Sequence, residues 1–347
     1  MKAIRFPQKD RVEVAEIPAP TAGPGEVLVR VRASGLCHTD LDVMHSNYGP
    51  SAFPLTPGHE YAGEVTAVGA GVTELAVGDR VVIDPNLECG ECDACKRGWA
   101  HLCEHLGAYG VSTNGGFAEF SAVRADRVHR IGDMPFEIAA LAEPMGCVLN
   151  GLSPLEGRTV ERAAVFGCGP IGLLMGLALK ARGVPEVIMV DLDPARLDRA
   201  RDLGLSGVLS GSDELAALTR KCDLAVDATG VPAVAGSLVD YVANGGAVSF
   251  FGVCPQDARI EISPFELFRR ELTLFGTHSL NHNIPEAPAV LRAIGPKVSG
   301  VVTHRLSPEG VADVMAGQAR RQPQDPDGRV GGAAGPHGTG GQAFSGV

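Results

Sequence analysis

Residues 163–181 run from a buried strand through a glycine turn into a helix, and that succession restricts the possible folds sharply. Ala163-Ala164-Val165-Phe166 has the continuous apolar texture of a strand covered on both faces. Gly167-Cys168-Gly169-Pro170-Ile171-Gly172 follows it, and residues 171–181 are helical in pattern. In that setting the glycine spacing has a physical meaning. Gly167 permits the tight turn, Gly169 lets backbone approach a pyrophosphate, and Gly172 allows close packing of helix on strand. The phosphates are then expected against the free N–H groups where Pro170 and Ile171 open the helix. Residues 163–179 resemble a membrane span in length, but Gly167, Gly169, Pro170 and Gly172 interrupt them and the period changes midway. Asp191 follows the next strand, residues 187–190. A carboxylate there accepts both ribose hydroxyls and repels a 2′-phosphate, which favours NAD over NADP. The bland alternative for Asp191 is a helix cap, and Arg196 is close enough in sequence to compensate for a phosphate.

The alternation continues along the chain. Strands at 187–190, 224–226, 247–251 and 272–276 alternate with helices at 194–203, 233–242 and 285–294, the pattern of a parallel sheet covered on both faces. Upstream the texture differs. Runs at 27–33, 63–69 and 79–83 read as strands separated by glycine and proline at short spacing, as in a barrel-like β domain. A helix at 137–149, interrupted at Pro144, marks the change. A length of 347 residues suits two domains. From Gln318 onward the chain is rich in glycine and proline with almost no apolar period. It offers no strand beyond Arg320, and residues 318–347 are expected to be a largely disordered, atypical tail.

Nine cysteines are distributed unevenly. Cys89, Cys92, Cys95 and Cys103 lie close enough to close one tetrahedral zinc site. The alternative is a set of core thiols, but Glu88, Glu91, Asp93, Lys96 and Arg97 share the stretch, which does not read as core. Four thiolates leave no open position, so this metal is expected to be structural. The single cysteines Cys37, Cys147, Cys168, Cys222 and Cys254 do not form a disulfide framework. Metal ligation in a reducing cytoplasm fits better. The opening MKAIRFPQKDRVEV lacks the apolar core of a signal peptide. A formal net charge of -11 argues against nucleic acid or an anionic membrane as partner.

Gly35-Leu36-Cys37-His38-Thr39-Asp40 and Gly58-His59-Glu60 are both flanked by strand-like segments. Taken singly, Cys37 could be a core thiol and His59 a satisfied core histidine. Glu143 stands between an apolar helix and Pro144, an unusual place for an unpaired charge. A cysteine, a histidine and a carboxylate make a catalytic zinc set with one position open.

With these motifs in this order, the chain resembles the zinc-containing medium-chain alcohol dehydrogenases over about residues 1–317. The resemblance implies an α/β protein: a GroES-like β-rich catalytic domain at residues 1–145, with a structural zinc lobe at 86–105. A Rossmann NAD-binding domain at 146–285 and a return toward the catalytic domain at 286–317 follow, with the active site in the cleft between the two domains. It implies Cys37 and His59 as the first catalytic zinc ligands, with Glu60 able to approach the metal and Glu143 where the classical alcohol dehydrogenases carry a cysteine. Glu143 followed by proline resembles the sorbitol, polyol and threonine dehydrogenase branches. Thr39 matches the hydroxyl residue that starts the proton relay, and His45 is a candidate relay end or pocket residue. The expected activity is hydride transfer from a secondary alcohol of a polyol to NAD, giving the ketose. The alternatives are a threonine-type or simple alcohol dehydrogenase and, remotely, a nonenzymatic zinc- and dinucleotide-binding protein. Tyr48, Glu119 and His45 are candidates for a polyol's extra hydroxyls, and His278, Asn281 and His282 follow the last strand. A homo-oligomer, tetramer or dimer, is implied by the family, with residues 260–275 a possible interface.

Overall fold

The structure, a computed structural model, describes residues 1–47, 52–319 and 344–346. The chain forms two compact units. One comprises Met1–Asp93, Cys103–Glu143 and Val302–Val347, and the other Ala94–Leu102 and Pro144–Val301.

In the first unit, β1 (Lys2–Arg5) and β2 (Glu13–Glu16) pair antiparallel. β3 (Glu26–Gly35), α1 (His38–Met44), β4 (Glu60–Val68) and β5 (Arg80–Ile83) follow. β6 (Asn86–Leu87), α2 (Asp93–Lys96) and β7 (Gly107–Ala108) frame the four-cysteine stretch. β8 (Phe120–Arg124), β9 (Val128–Arg130) and α3 (Phe136–Ala139) come next. The main sheet is antiparallel in the order β8-β3-β4-β5-β9. Its period-two pattern is plain in β3, where Val27, Val29 and Val31 are buried while Arg30 and Arg32 are exposed. The valines pack with Tyr61, Val65 and Ile83.

The second unit takes in most of α4 (Ala142–Leu152) and then alternates strand and helix. It contains β10 (Arg162–Phe166), α5 (Pro170–Ala181), β11 (Glu186–Asp191), α6 (Pro194–Asp202), β12 (Ser206–Leu209) and α7 (Asp213–Ala216). β13 (Cys222–Asp227), α8 (Pro232–Ser237), β14 (Val242–Phe250), α9 (Pro264–Arg270), β15 (Thr273–Gly276) and α10 (Ala287–Ile294) complete it. The sheet is parallel, in the order β12-β11-β10-β13-β14-β15. The strand order reverses beside β10, where open α/β sheets place their ligands.

The chain then returns to the first unit with β16 (His304–Leu306) and α11 (Pro308–Ala319). Val311 and Met315 of α11 join Ile4, Phe6, Met44 and Phe117 in one core.

Four sequence expectations are corrected. The helical stretch breaks at residues 140–141 and not at Pro144, which sits in the first turn of α4, where its missing N–H leaves no bond unmade. β12, α7 and α9 were not expected; the four residues Ser206–Leu209 include a glycine and are too short for a clear period. The helix expected at 233–242 ends at Ser237, and Val242 already begins β14. Where no strand was expected past Arg320, β17 (Phe344–Gly346) pairs antiparallel with β16. The rest of the expected tail, 320–343, lies outside the described residues, and its first two residues, 318 and 319, end α11. Phe136–Leu155 is long and apolar enough to cross a membrane, but 83% of its most apolar window is buried inside the protein, as in a core helix.

Candidate functional site

The ladder between β3 and β4 brings the first site together. The two strands pair antiparallel, and Gly35 stands opposite Glu60 at the end of the register. Cys37 begins α1 just beyond one strand, and His59 immediately precedes the other. Two motifs more than twenty residues apart thus meet because a ladder closes between them. One ligand atom from each of Cys37, His59 and Glu60 lies within 4.8 Å of the others. Glu60 is 3% exposed, and its Oε2 is buried without a well-formed hydrogen bond.

Sequence reasoning gave Asp40 no role, yet it organises this site. It is wholly buried. Its Oδ2 accepts the Cys37 N–H at 3.0 Å, and its Oδ1 accepts the Gly58 N–H at 3.1 Å. His59 Nδ1 lies 3.4 Å from the same Oδ1, long for a hydrogen bond, while Nε2 lies 4.0 Å from Glu60 Oε1. Asp40 therefore ties both motifs to one carboxylate and turns Nε2 toward the other donors, the usual arrangement behind a metal-ligating histidine. A signal was present: a carboxylate three residues after the residue that caps α1 reaches back to that residue's N–H.

Electrostatics in this pocket favour a cation. Burial pushes the Cys37 thiol up, with Glu60 adding to it. Glu60 is raised to about 8, by burial first and by the Glu143 charge next, with His59 opposing. Burial alone would lower His59, but Asp40 and Cys37 outweigh it and hold its pKa well above 6.5. A thiol, an imidazole and a carboxyl so buried hold their protons more tightly, and a divalent cation would displace them. The donor set fits zinc.

The other candidates are placed as follows. Glu143 is 7% exposed in the first turn of α4, near enough to Glu60 to act on its charge, but outside the Cys37, His59 and Glu60 group. Thr39 Oγ1 is 3.6 Å from Cys37 Sγ. His45 ends α1 with its Nδ1 2.6 Å from Asp10 Oδ1. Glu119 Oε2 accepts the Lys2 N–H at 2.9 Å, so one of its oxygens is spent on the backbone. Tyr48 lies outside the described residues.

Cys89, Cys92, Cys95 and Cys103 form the second donor group. Cys103 Sγ is 3.5 Å from Cys89 Sγ and 3.9 Å from Cys92 Sγ. Those separations exclude disulfides, whose S–S bond is about 2.0 Å. They match the edge of a tetrahedron with zinc–sulfur bonds of about 2.3 Å, which is about 3.8 Å. The N–H groups of Cys89, Cys92 and His105 point at these sulfurs, as they do around thiolates.

The glycine turn joins β10 to α5. Gly167 has φ +106, open in practice only to glycine. A Cβ on Gly172 would stand 1.9 Å from Gly167 O, so nothing larger lets α5 approach the turn. Gly169 caps α5 with no side chain bonded there, and Pro170 and Ile171 open the helix, leaving its first N–H groups for an anion. Asp191 ends β11. Its Oδ2 accepts the Cys168 N–H at 2.7 Å and its Oδ1 the Asp193 N–H at 2.9 Å. Two lone-pair positions remain on that carboxylate. Arg196 Nη1 lies 3.9 Å from it.

Comparison with known proteins agrees with this geometry. Residues 23–133 match the family described as Alcohol dehydrogenase GroES-like domain, and residues 170–294 the one described as Zinc-binding dehydrogenase. The chain is 54% identical over 310 residues to D-altritol 5-dehydrogenase of Agrobacterium fabrum (strain C58 / ATCC 33970), covering 88% of this chain and 92% of that protein. It is 31% identical over 338 residues to D-arabinitol dehydrogenase 1 of Uromyces fabae, covering 93% and 95%. Among solved structures, a zinc-binding dehydrogenase from Sinorhizobium meliloti 1021 bound to NADP superposes with a TM-score of 0.85 at 27% identity, covering 100% of this chain and 98% of that one.

Proposed function

This chain belongs to the zinc-binding medium-chain dehydrogenase family, beside its polyol and threonine dehydrogenases, and we propose that it oxidises a secondary hydroxyl of a hexitol with NAD, giving the ketose. The fold is a GroES-like domain followed by a Rossmann domain, and the chain is a nicotinamide-dependent oxidoreductase with two groups of side chains able to hold a metal ion. The observation that carries the chemistry is the buried group of Cys37, His59 and Glu60. The similarity to a D-altritol 5-dehydrogenase directs the substrate reading to a sugar alcohol.

In this reading Cys37 and His59 would hold a catalytic zinc, with Glu143 or Glu60 completing the set. Zinc held there supplies Lewis acidity that lowers the pKa of a substrate hydroxyl. Asp40 stands beside Nδ1 of the imidazole, which leaves Nε2 on the side of the Glu60 carboxyl. The Thr39 hydroxyl, two residues from Cys37, takes the substrate proton by hydrogen bond and starts its path to solvent. His45, already paired with Asp10, is the candidate end of that path. The glycine turn and the α5 N-terminus hold the dinucleotide phosphates, and the open lone pairs of Asp191 take the ribose hydroxyls. One solved relative is bound to NADP and another to NADH, so the preference for NAD rests on Asp191, with Arg196 the countervailing charge. The four-cysteine zinc has no open position and serves structure.

We extend the proposal to a cytoplasmic homo-oligomer, a tetramer or dimer. None of the nine cysteines, all of them among the described residues, is joined in a disulfide, as a reducing compartment keeps them. β15 is the last strand of its sheet, and Phe265 and Phe268 of α9 are exposed close to it in sequence.

The direct test is reduction of NAD and NADP across D-altritol, sorbitol, xylitol, arabinitol, threonine and ethanol. Turnover is expected with hexitols and NAD. Turnover with threonine but no polyol would replace the substrate reading, and no turnover with any of them would remove the enzyme reading.

A further inference from the structure

Residues Ala94–Leu102, inside the four-cysteine stretch, belong to the second unit. The loop after β15 holds them there. Asn281 Nδ2 donates to Gly98 O at 2.9 Å, and His278 Nδ1 stands 3.2 Å from His101 O, to which it donates when that nitrogen carries the proton. Both acceptors are main-chain carbonyls on the turn bracketed by Cys95 and Cys103, and the Gly98 N–H itself donates to Cys95 O at 2.9 Å. On its other side the loop is tied to α4. The buried Asn150 donates through Nδ2 to His278 O at 3.2 Å and to Ser279 O at 2.9 Å. Ser279 and His282 hold left-handed φ values of 54° and 59°, a conformation that non-glycine residues keep only when their surroundings impose it. The loop is therefore strained, and side-chain to main-chain bonds hold it from two directions.

We propose that Asn281 and His278 are positioning residues: they clasp the main chain beside Cys95, so that the metal of the four-cysteine lobe and the loop after β15 are ordered together. Two facts support the coupling. The clasp uses carbonyls, whose positions are set only when the lobe is folded. The lobe has little else to fold it, since its regular elements are two strands of two residues each, a four-residue helix with no buried residue and the single 3-10 turn Ala100–Leu102, in which only Ala100 is buried. The clasped loop leaves the carboxyl end of a strand in the parallel sheet, where such sheets bind their ligands. A lobe that takes no part in the chemistry thereby acts on cofactor binding, an extension that rests on the function proposed above.

The test compares the zinc-loaded protein with two variants, Cys92→Ser and Asn281→Ala. Hydrogen exchange at residues 277–283 should rise about tenfold or more in Cys92→Ser, with β10 and β13 unchanged. Transfer of zinc to a chromophoric chelator should run about tenfold faster from the lobe of Asn281→Ala, while the Cys37 site keeps its metal. In turnover assays Asn281→Ala should raise KM for NAD more than it lowers kcat. Unchanged exchange in Cys92→Ser, or unchanged zinc transfer from Asn281→Ala, would overturn the proposal. Should Cys92→Ser fail to fold, the zinc transfer measurement decides alone. If the exchange and transfer results hold while no alcohol is oxidised, the clasp stands and the proposed reaction falls.

Discussion

Asp40 accepts two backbone N–H groups and faces the His59 ring, so a single carboxylate holds together segments that the chain brings in from two directions. Beside it, Cys37 and Glu60 keep their protons because burial raises both. Zinc must displace those protons. At pH 7, below the value of about 8 for Glu60, uptake by metal-free protein should therefore release protons, seen as a buffer-dependent heat in titration calorimetry. Cys37→Ala should retain the fold, lose turnover by about a thousandfold or more and bind one zinc where the parent binds two. Full turnover in that variant would refute the catalytic assignment. At the cofactor end, Asp191→Ser removes the charge that opposes a 2′-phosphate and leaves Arg196 nearby. The ratio of kcat/KM for NAD over NADP should fall by about tenfold or more. The spacing of all these ligands could be read along the chain. Asp40 was overlooked because its role depends on Gly58 and His59 lying opposite it, which no local pattern reveals.

Among the elements, the β3–β4 ladder does most to make the site. Both strands were legible from alternation, but the register that sets Gly35 against Glu60 was not, because alternation specifies a face and not a partner. α4 was legible as an apolar helix, while its start was misplaced because proline can open a helix as well as break one. β12 escaped notice because four residues carry too little period. The link between α3 and β16 has a consequence for pH. Arg305 donates to both oxygens of Glu137, at 2.8 and 3.0 Å, and holds that carboxyl below its ordinary 4.5. A carboxyl with a lower pKa in the folded chain adds stability above its unfolded pKa and loses that stability as pH falls through the folded one. Glu137→Gln should therefore lower the melting temperature slightly at pH 7, since the pair is largely exposed. The difference should disappear as pH falls below 4.5 and through the folded value. A difference that persisted in acid would mean packing, not charge, was lost.

For the molecule as a whole, α11 completes the core of the first unit with Val311 and Met315, so that unit is assembled from both ends of the chain. The proposed oligomer is tested on α9, where Phe268 is 79% exposed. Phe268→Asp should lower the mass measured by light scattering while activity per remaining assembled unit is kept. An unchanged mass would move the interface elsewhere. The amino-acid sequence by itself determined the fold class and the glycine turn, and it named the residues of both candidate donor groups. These depend on residue type, periodicity and short spacing, all of which are local. Only the tertiary structure decided which donors share a pocket, that Asp40 supports them, and that part of the four-cysteine lobe packs with the second unit. Those outcomes come from strand register and long-range packing, where free energy is gained only when distant segments meet, and no window along the chain contains that term.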